Sequence, residues 1–190
     1  MSTVGIPDDA VLSVPEFVEI LERDPGAVVC LDVETTGLDT ERDGIVSLSI
    51  VDAWGGTLFD SRLHTYRRSD WTDAQRIHGI SPRDVRDSPS VPQVRDEVET
   101  ILDDAEVIVG YNHVGFDLPM MASNGFRIPD AGLFDVMLAY IDMTGPEVRH
   151  RLVDCARHCK VDFSPHHSLD DARATMACAR VISGCAGVVV

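Results

Sequence analysis

Residues 27–35 read Ala-Val-Val-Cys-Leu-Asp-Val-Glu-Thr, an apolar run that ends with two carboxylates two positions apart. The stretch from Ala27 to Val33 predicts a buried strand. Alternate residues of a strand share a face, so Asp32 and Glu34 project side by side at the end of a sheet. Burying unpaired charge costs roughly several kcal/mol per ion. A sheet that tolerates both carboxylates there calls for a cation between them. A solvated acidic turn at a strand end fits the same residues, and the rest of the chain decides.

Two more acidic positions bear on that choice. Asp117 follows a second apolar strand, Val107 to Tyr111, and opens Phe116-Asp117-Leu118-Pro119-Met120-Met121. This reads as the first turn of a helix, where Pro119 is tolerated because first-turn amides lack intrahelical partners. Asp171 lies in His166-His167-Ser168-Leu169-Asp170-Asp171-Ala172, entering the last helical run. The order DxET, then FD, then H-x(4)-D resembles the DEDDh 3′–5′ exonucleases. That DnaQ-like group includes the proofreading subunit of bacterial DNA polymerase III. Ile77-His78-Gly79-Ile80-Ser81 is similar to the IHGIT segment that lies between the first two motifs. The resemblance covers about Val28 to Val181.

The resemblance implies a ribonuclease H-like α/β fold, a mixed sheet flanked by helices on both faces. It also implies that Asp32, Glu34, Asp117 and Asp171 hold two metal ions, with Asp32 bridging, and that His166 is the general base. Four carboxylates with no obligatory cysteine or histidine suit hard cations, Mg²⁺ or Mn²⁺, rather than structural zinc. Two such ions can activate a water and stabilise the leaving oxygen of an in-line phosphoryl displacement. An imidazole can take up the proton of that water near neutral pH.

Spacing constrains how His166 and Asp171 can cooperate. Five residues turn through about 500° of helix, which leaves the two side chains roughly 140° apart. A loop at Ser164-Pro165-His166 reaching over the site, with Asp171 on the helix behind it, resolves the conflict. His167 and Asp170 are the rivals within these dipeptides, and the family spacing favours His166 with Asp171. Thr35 and Thr36 could offer backbone amides to a terminal 3′-hydroxyl, and a turn role accounts for them equally. Ile77, His78 and Ile80 could line a terminal-base pocket, with core packing the other reading of the isoleucines. Phe116 could bind substrate or serve as core. His64, His113, His150 and His158 read as surface or satisfied histidines. Asn112 sits five residues before Asp117 where many family members show four, so no role is carried over to it.

Charge argues against a polynucleotide ligand at first sight. The chain has 32 acidic against 16 basic residues, a net charge of −16. Nucleic-acid binders usually carry a basic footprint, so non-specific affinity for long polymers is expected to be weak. A substrate held by its 3′ end through metals and backbone remains compatible. Lys160 is the single lysine. Arg67, Arg68, Arg76, Arg83 and Arg86 around the IHGIS segment, and Arg149 and Arg151 further on, are candidate phosphate contacts or scattered surface charge.

At 190 residues and 44% hydrophobic, one domain with a full core is expected. No apolar run approaches the roughly 18 residues of a membrane helix, and no signal peptide is evident. Five cysteines without CxxC pairing read as reduced thiols of a cytoplasmic protein. Cys155 and Cys159 fall one helical turn apart and read as packed small apolar groups. Residues 1–26 form an N-terminal helical extension packed on the domain, with a capping box at Ser13-Val14-Pro15-Glu16. The exonuclease domain spans 27–183, and 184–190 is a short apolar tail. Strands are expected at Ile45–Val51 and Thr57–Leu63, joined at Trp54-Gly55-Gly56. Helices are expected near Pro92–Asp103, Leu118–Asn124, Asp135–Met143, Arg151–His158 and Leu169–Ile182.

The function implied by the resemblance is release of nucleoside 5′-monophosphates from the 3′ end of single-stranded or frayed DNA. RNA trimming, or degradation of very short oligonucleotides, stays open because these motifs do not fix the sugar. A non-catalytic module binding nucleic acid or a DNA polymerase is the reading from another class. Retention of all five catalytic positions speaks against it. Only 19 residues follow Asp171, which favours a stand-alone enzyme over a tethered proofreading subunit.

Overall fold

The computed structural model describes residues 10–185. Five strands form one sheet: β1 (Val28–Thr35), β2 (Ile45–Asp52), β3 (Thr57–Arg62), β4 (Val107–Gly110) and β5 (Gly132–Asp135), in the order β3-β2-β1-β4-β5. The first three strands run antiparallel, while β4 and β5 join β1 in parallel. Around the sheet lie α1 (Val14–Arg23), α2 (Thr72–His78), α3 (Val91–Asp103), α4 (Asp117–Ser123), α5 (Val136–Thr144), α6 (Leu152–Cys159) and α7 (Ser168–Ile182).

The period of two in β1 decides what each face meets. Val29, Leu31 and Val33 pack into one core with residues of α3 and α4. Val28 and Cys30 pack into another with α1, α5, α6 and α7. Asp32 and Glu34 continue the second set, so they leave the sheet on the side covered by α7. Helices on both faces of a mixed sheet match the ribonuclease H-like expectation.

β4 is short. It pairs with β1 only from Val28 to Cys30, so β1 runs on beyond its parallel neighbour. That step leaves the Val33 amide without a strand partner on that side, and α4 fills the gap. On the far edge, the Leu12 amide donates to the Leu133 carbonyl (2.8 Å), and Phe17 of α1 stacks on Phe134 at 4.0 Å. Glu16 accepts from the Ser13 amide and hydroxyl, closing the capping interaction at the start of α1. Full burial of a side chain such as Phe17 contributes about 1.5–3 kcal/mol. Residues 1–9 of the N-terminal extension and 186–190 of the tail lie outside the described residues.

Two elements had no counterpart in the sequence reading. α2 covers the IHG segment although its seven residues bury no side chain, so it shows no apolar stripe. β5 is four residues long, too short for its alternation to register. Among the described residues, no helix is long and apolar enough to cross a membrane.

Candidate active site

Asp32 and Glu34 from β1 meet Asp171 from the first turn of α7. One carboxylate oxygen from each lies within 4.8 Å of the others. Asp171 faces the site because α7 is bolted to β2 beneath it. Ser168 is buried, and its hydroxyl bonds those of Ser47 (2.8 Å) and Ser49 (2.7 Å). Ser49 in turn donates to Asp60 (2.8 Å), which orients the chain of hydroxyls from Ser47 through Ser168 and Ser49. The partial positive charge at a helix N-terminus favours an acidic side chain at Asp171.

Asp117 stands outside this trio. It opens α4, and its Oδ1 accepts the Val33 amide exposed by the step in the sheet (3.2 Å). Behind it lies a clasp the sequence did not disclose. Asp135, buried at the end of β5, accepts from the amides of Asn112 (3.0 Å), Val114 (3.4 Å), Met137 (3.0 Å) and Leu138 (3.4 Å). Burial works to raise its pKa, but His113, with the Asn112 and Val114 amides, holds it below the ordinary value. The imidazole of His113 is fully buried, with Nδ1 3.4 Å from Asp135. Its burial rules out the surface reading, and among the described residues neither ring nitrogen has a hydrogen-bond partner. The only legible trace of Asp135 was an aspartate at a helix start. Asn112 is exposed, with φ of 59°.

His166 lies in a loop, with φ of 70°, as the spacing demanded. Its amide donates to Asp171 Oδ2 at 3.1 Å, while Oδ1 is buried with no hydrogen-bond partner among the described residues. His167 precedes α7 as its exposed N-cap residue. Both histidines line a cavity of about 270 Å³ with His78, Arg62 and Asp60. Asp170 is not in the acidic trio.

His78 acts on the end of β1. Its Nδ1 accepts the Ile80 amide (3.0 Å), so Nε2 carries the proton and donates to the Thr35 carbonyl (3.2 Å). Burial holds its pKa below the usual histidine value. Ile80 packs in a small core with Val46, Trp71 and Val85, whereas Ile77 is 61% exposed. Phe116 is half-buried against the core on the α3–α4 side. The Thr35 hydroxyl donates to Gly37 (2.7 Å), and the Thr36 amide donates to the Gly44 carbonyl (2.9 Å). The Thr36 amide is thereby engaged in the turn, one of the two roles open to it.

Several arginines also hold structure. Arg67 donates to the carbonyls of Glu41 (2.9 Å) and Ser123, and Arg68 pairs with buried Asp43 (2.9 Å). Arg76 pairs with Asp73, and Arg151 with Asp154. Arg83 and Arg86 line an open cleft of about 390 Å³ with Arg68, His64 and exposed Tyr66.

Crowding raises the proton affinity of every acid in the site. Burial comes first, then like charge: Asp32 is pushed well up by burial and by Asp117, Asp171 and Glu34. Glu34 is pushed up to about 8 by burial and the Asp171 and Asp117 charges. Burial raises Asp171 and Asp117 to about 6, opposed at Asp171 by the His166 amide and at Asp117 by His113. A group of hard oxygen donors with one buried oxygen left unpartnered fits a divalent cation. These carboxyls bind protons more tightly folded than unfolded, where their values lie near about 4. The stability this confers is full below about pH 4 and is lost as pH rises through about 6 to 8. Cation-free protein is therefore expected to melt about 5 °C lower at pH 8 than at pH 5, since 1 kcal/mol moves Tm about 2–4 °C at this size. Excess Mg²⁺ should flatten that slope. Calorimetry in EDTA and in Mg²⁺ checks this, and a melting temperature indifferent to both would refute the reading.

RNA exonuclease 4 of Debaryomyces hansenii is 24% identical over 182 residues, covering 93% of this chain and 65% of that protein. A PolC-type DNA polymerase III of Oceanobacillus iheyensis is 28% identical over 155 residues, 77% of this chain and 11% of that protein. The chain thus spans less than two thirds of either relative. Exonuclease X, solved in complex with 5′-overhanging duplex DNA, shares the fold with a TM-score of 0.66 at 22% identity, over 85% of this chain and 94% of that one. Residues 29–179 match the RNase T exonuclease family. Because that span carries all four carboxylates and both histidines of the loop, and covers most of the chain, this protein belongs to the DnaQ-like exonuclease family.

Proposed function

We propose that this chain is a metal-dependent 3′–5′ exonuclease that releases nucleoside 5′-monophosphates from single-stranded or frayed DNA ends. One observation carries the reading: Asp32, Glu34 and Asp171 converge within 4.8 Å, with Asp171 Oδ1 buried and unpartnered among the described residues beside the loop of His166. These three, with Asp117 adjoining, would hold two Mg²⁺ or Mn²⁺ ions. Bound ions would supply positive charge to activate the attacking water and to stabilise the leaving 3′-oxygen.

The remaining steps belong to the protein. His166 takes the proton of the attacking water, and its place in a loop lets the imidazole approach once a strand end is seated. Asp171 accepts the His166 amide and so ties the base to the acidic trio. His78 steadies Thr35 at the end of β1, and exposed Ile77 offers an apolar surface to the terminal base. Arg62, on the wall of the cavity beside His166, gives the following phosphate a cation.

RNA is the second reading, supported by similarity to RNA exonuclease 4 across 93% of the chain. The PolC-type relative supports a setting beside a DNA polymerase, and a cytoplasmic location is part of the same proposal. Incubation with 5′-labelled DNA and RNA strands in Mg²⁺, Mn²⁺ or EDTA tests the proposal. A metal-dependent ladder shortening from the 3′ end is expected, and the faster polymer names the substrate. No shortening of either strand, or shortening that survives EDTA, would overturn it.

A further inference from the structure

Three of the five thiols converge where α6 meets α7. Cys155 and Cys159 lie one turn apart on one face of α6, and Cys178 comes from α7. Their three Sγ atoms are all within 4.8 Å of one another. Cys155 and Cys178 have no exposed surface, and Cys159 has 8%. Cys30 lies in the same apolar core but outside the trio, and Cys185 is only half-buried.

A single buried thiol is a small apolar group, and that was the expectation for Cys155 and Cys159. The tertiary structure changes the reading by adding a third sulfur to the pair. Alanine or valine would fill that space without gathering three soft donors at one point.

The donors select the ion. Metal–thiolate bonds of about 2.3 Å set three sulfurs roughly 4 Å apart around a shared ion, so the trio needs to contract by less than about 1 Å. Among the described residues, no fourth histidine, cysteine or carboxylate joins the group. Structural zinc takes four ligands, whereas a soft monovalent d¹⁰ ion is satisfied by three thiolates. We propose that Cys155, Cys159 and Cys178 form a three-thiolate site for Cu(I) between α6 and α7. Binding forms three Cu–S bonds and releases the thiol protons to solvent, with no change of oxidation state. The ion enters beside Cys159 at the C-terminal end of α6, where the cover is thinnest. Cys178 follows Asp171 by seven residues, nearly two turns along the same face of α7. A bound ion therefore fastens to α6 the helix that presents Asp171. This site is separate from the carboxylates, whose hard oxygens do not favour Cu(I).

The test titrates the reduced 190-residue chain with Cu(I) under anaerobic conditions against bicinchoninate, with Zn²⁺ in parallel. One Cu(I) per chain by native mass spectrometry, an ultraviolet thiolate-to-copper band and a raised melting temperature are expected. Cys178→Ala should weaken retention at least tenfold, and Cys30→Ala should leave it unchanged. If circular dichroism shows Cys178→Ala unfolded, Cys159→Ser at the open end carries the same expectation. Wild-type protein that retains no copper overturns the site, as does equal retention in the folded Cys178→Ala variant or loss in folded Cys30→Ala. Preference for zinc, or a Cys155–Cys178 disulfide forming in place of metal capture, also overturns it.

Discussion

Replacing Asp171 with alanine is expected to lower turnover by at least about 10³-fold while leaving the fold intact, because several kcal/mol of transition-state stabilisation depend on the bound cations. The carboxylate supplies one of three converging oxygens, and its Oδ1 has no hydrogen-bond partner among the described residues. Alanine is the best helix former, so α7 should not suffer. Removing one negative charge also relieves Asp32 and Glu34, both of which feel Asp171 as a repulsive neighbour. The cation-free variant should therefore melt no lower than wild type, and its Tm should respond less to Mg²⁺. Single-turnover cleavage of a labelled strand, paired with melting curves, separates these effects. An active Asp171→Ala enzyme would remove this residue from the cation site.

Deleting the imidazole of His166 should cost about 10²–10⁴-fold in kcat, the usual contribution of a positioned general base, with little change in KM. Glycine is the better probe than alanine here. The residue has φ of 70°, which glycine adopts without strain, and the amide that donates to Asp171 is retained. His166→Gly thus removes only the base, and added imidazole should restore part of the rate. His167→Gly, at the neighbouring exposed N-cap, should change kcat by less than about tenfold. Wild-type turnover in His166→Gly would transfer the role to His167 or another group.

How much of this was legible depends on whether the signal is local. Asp32 and Glu34 sharing a face follows from strand geometry alone, and the loop at His166 follows from helical angle arithmetic. Asp135 was hidden because two of its four amide partners, those of Asn112 and Val114, come from a turn distant in sequence that means little in a sequence window. The Ser47–Ser168–Ser49 bolt was hidden for a related reason. Serines on a strand look like an exposed face until a helix is laid over them. Arg67 read as a phosphate contact because a guanidinium alone carries no record of the carbonyls it meets.

By itself, the sequence determined the class of fold and the sharing of one strand face by Asp32 and Glu34, and it singled out the acids and the histidine proposed for the site, because these rest on side-chain chemistry and backbone period. Only the tertiary structure decided which carboxylates converge, in which direction burial shifts their proton affinity and which arginines are held by other groups of the protein. It also brought Cys178 to Cys155 and Cys159. The physical reason is that burial and Coulomb energy depend on distances across elements, which short-range periodicity does not encode.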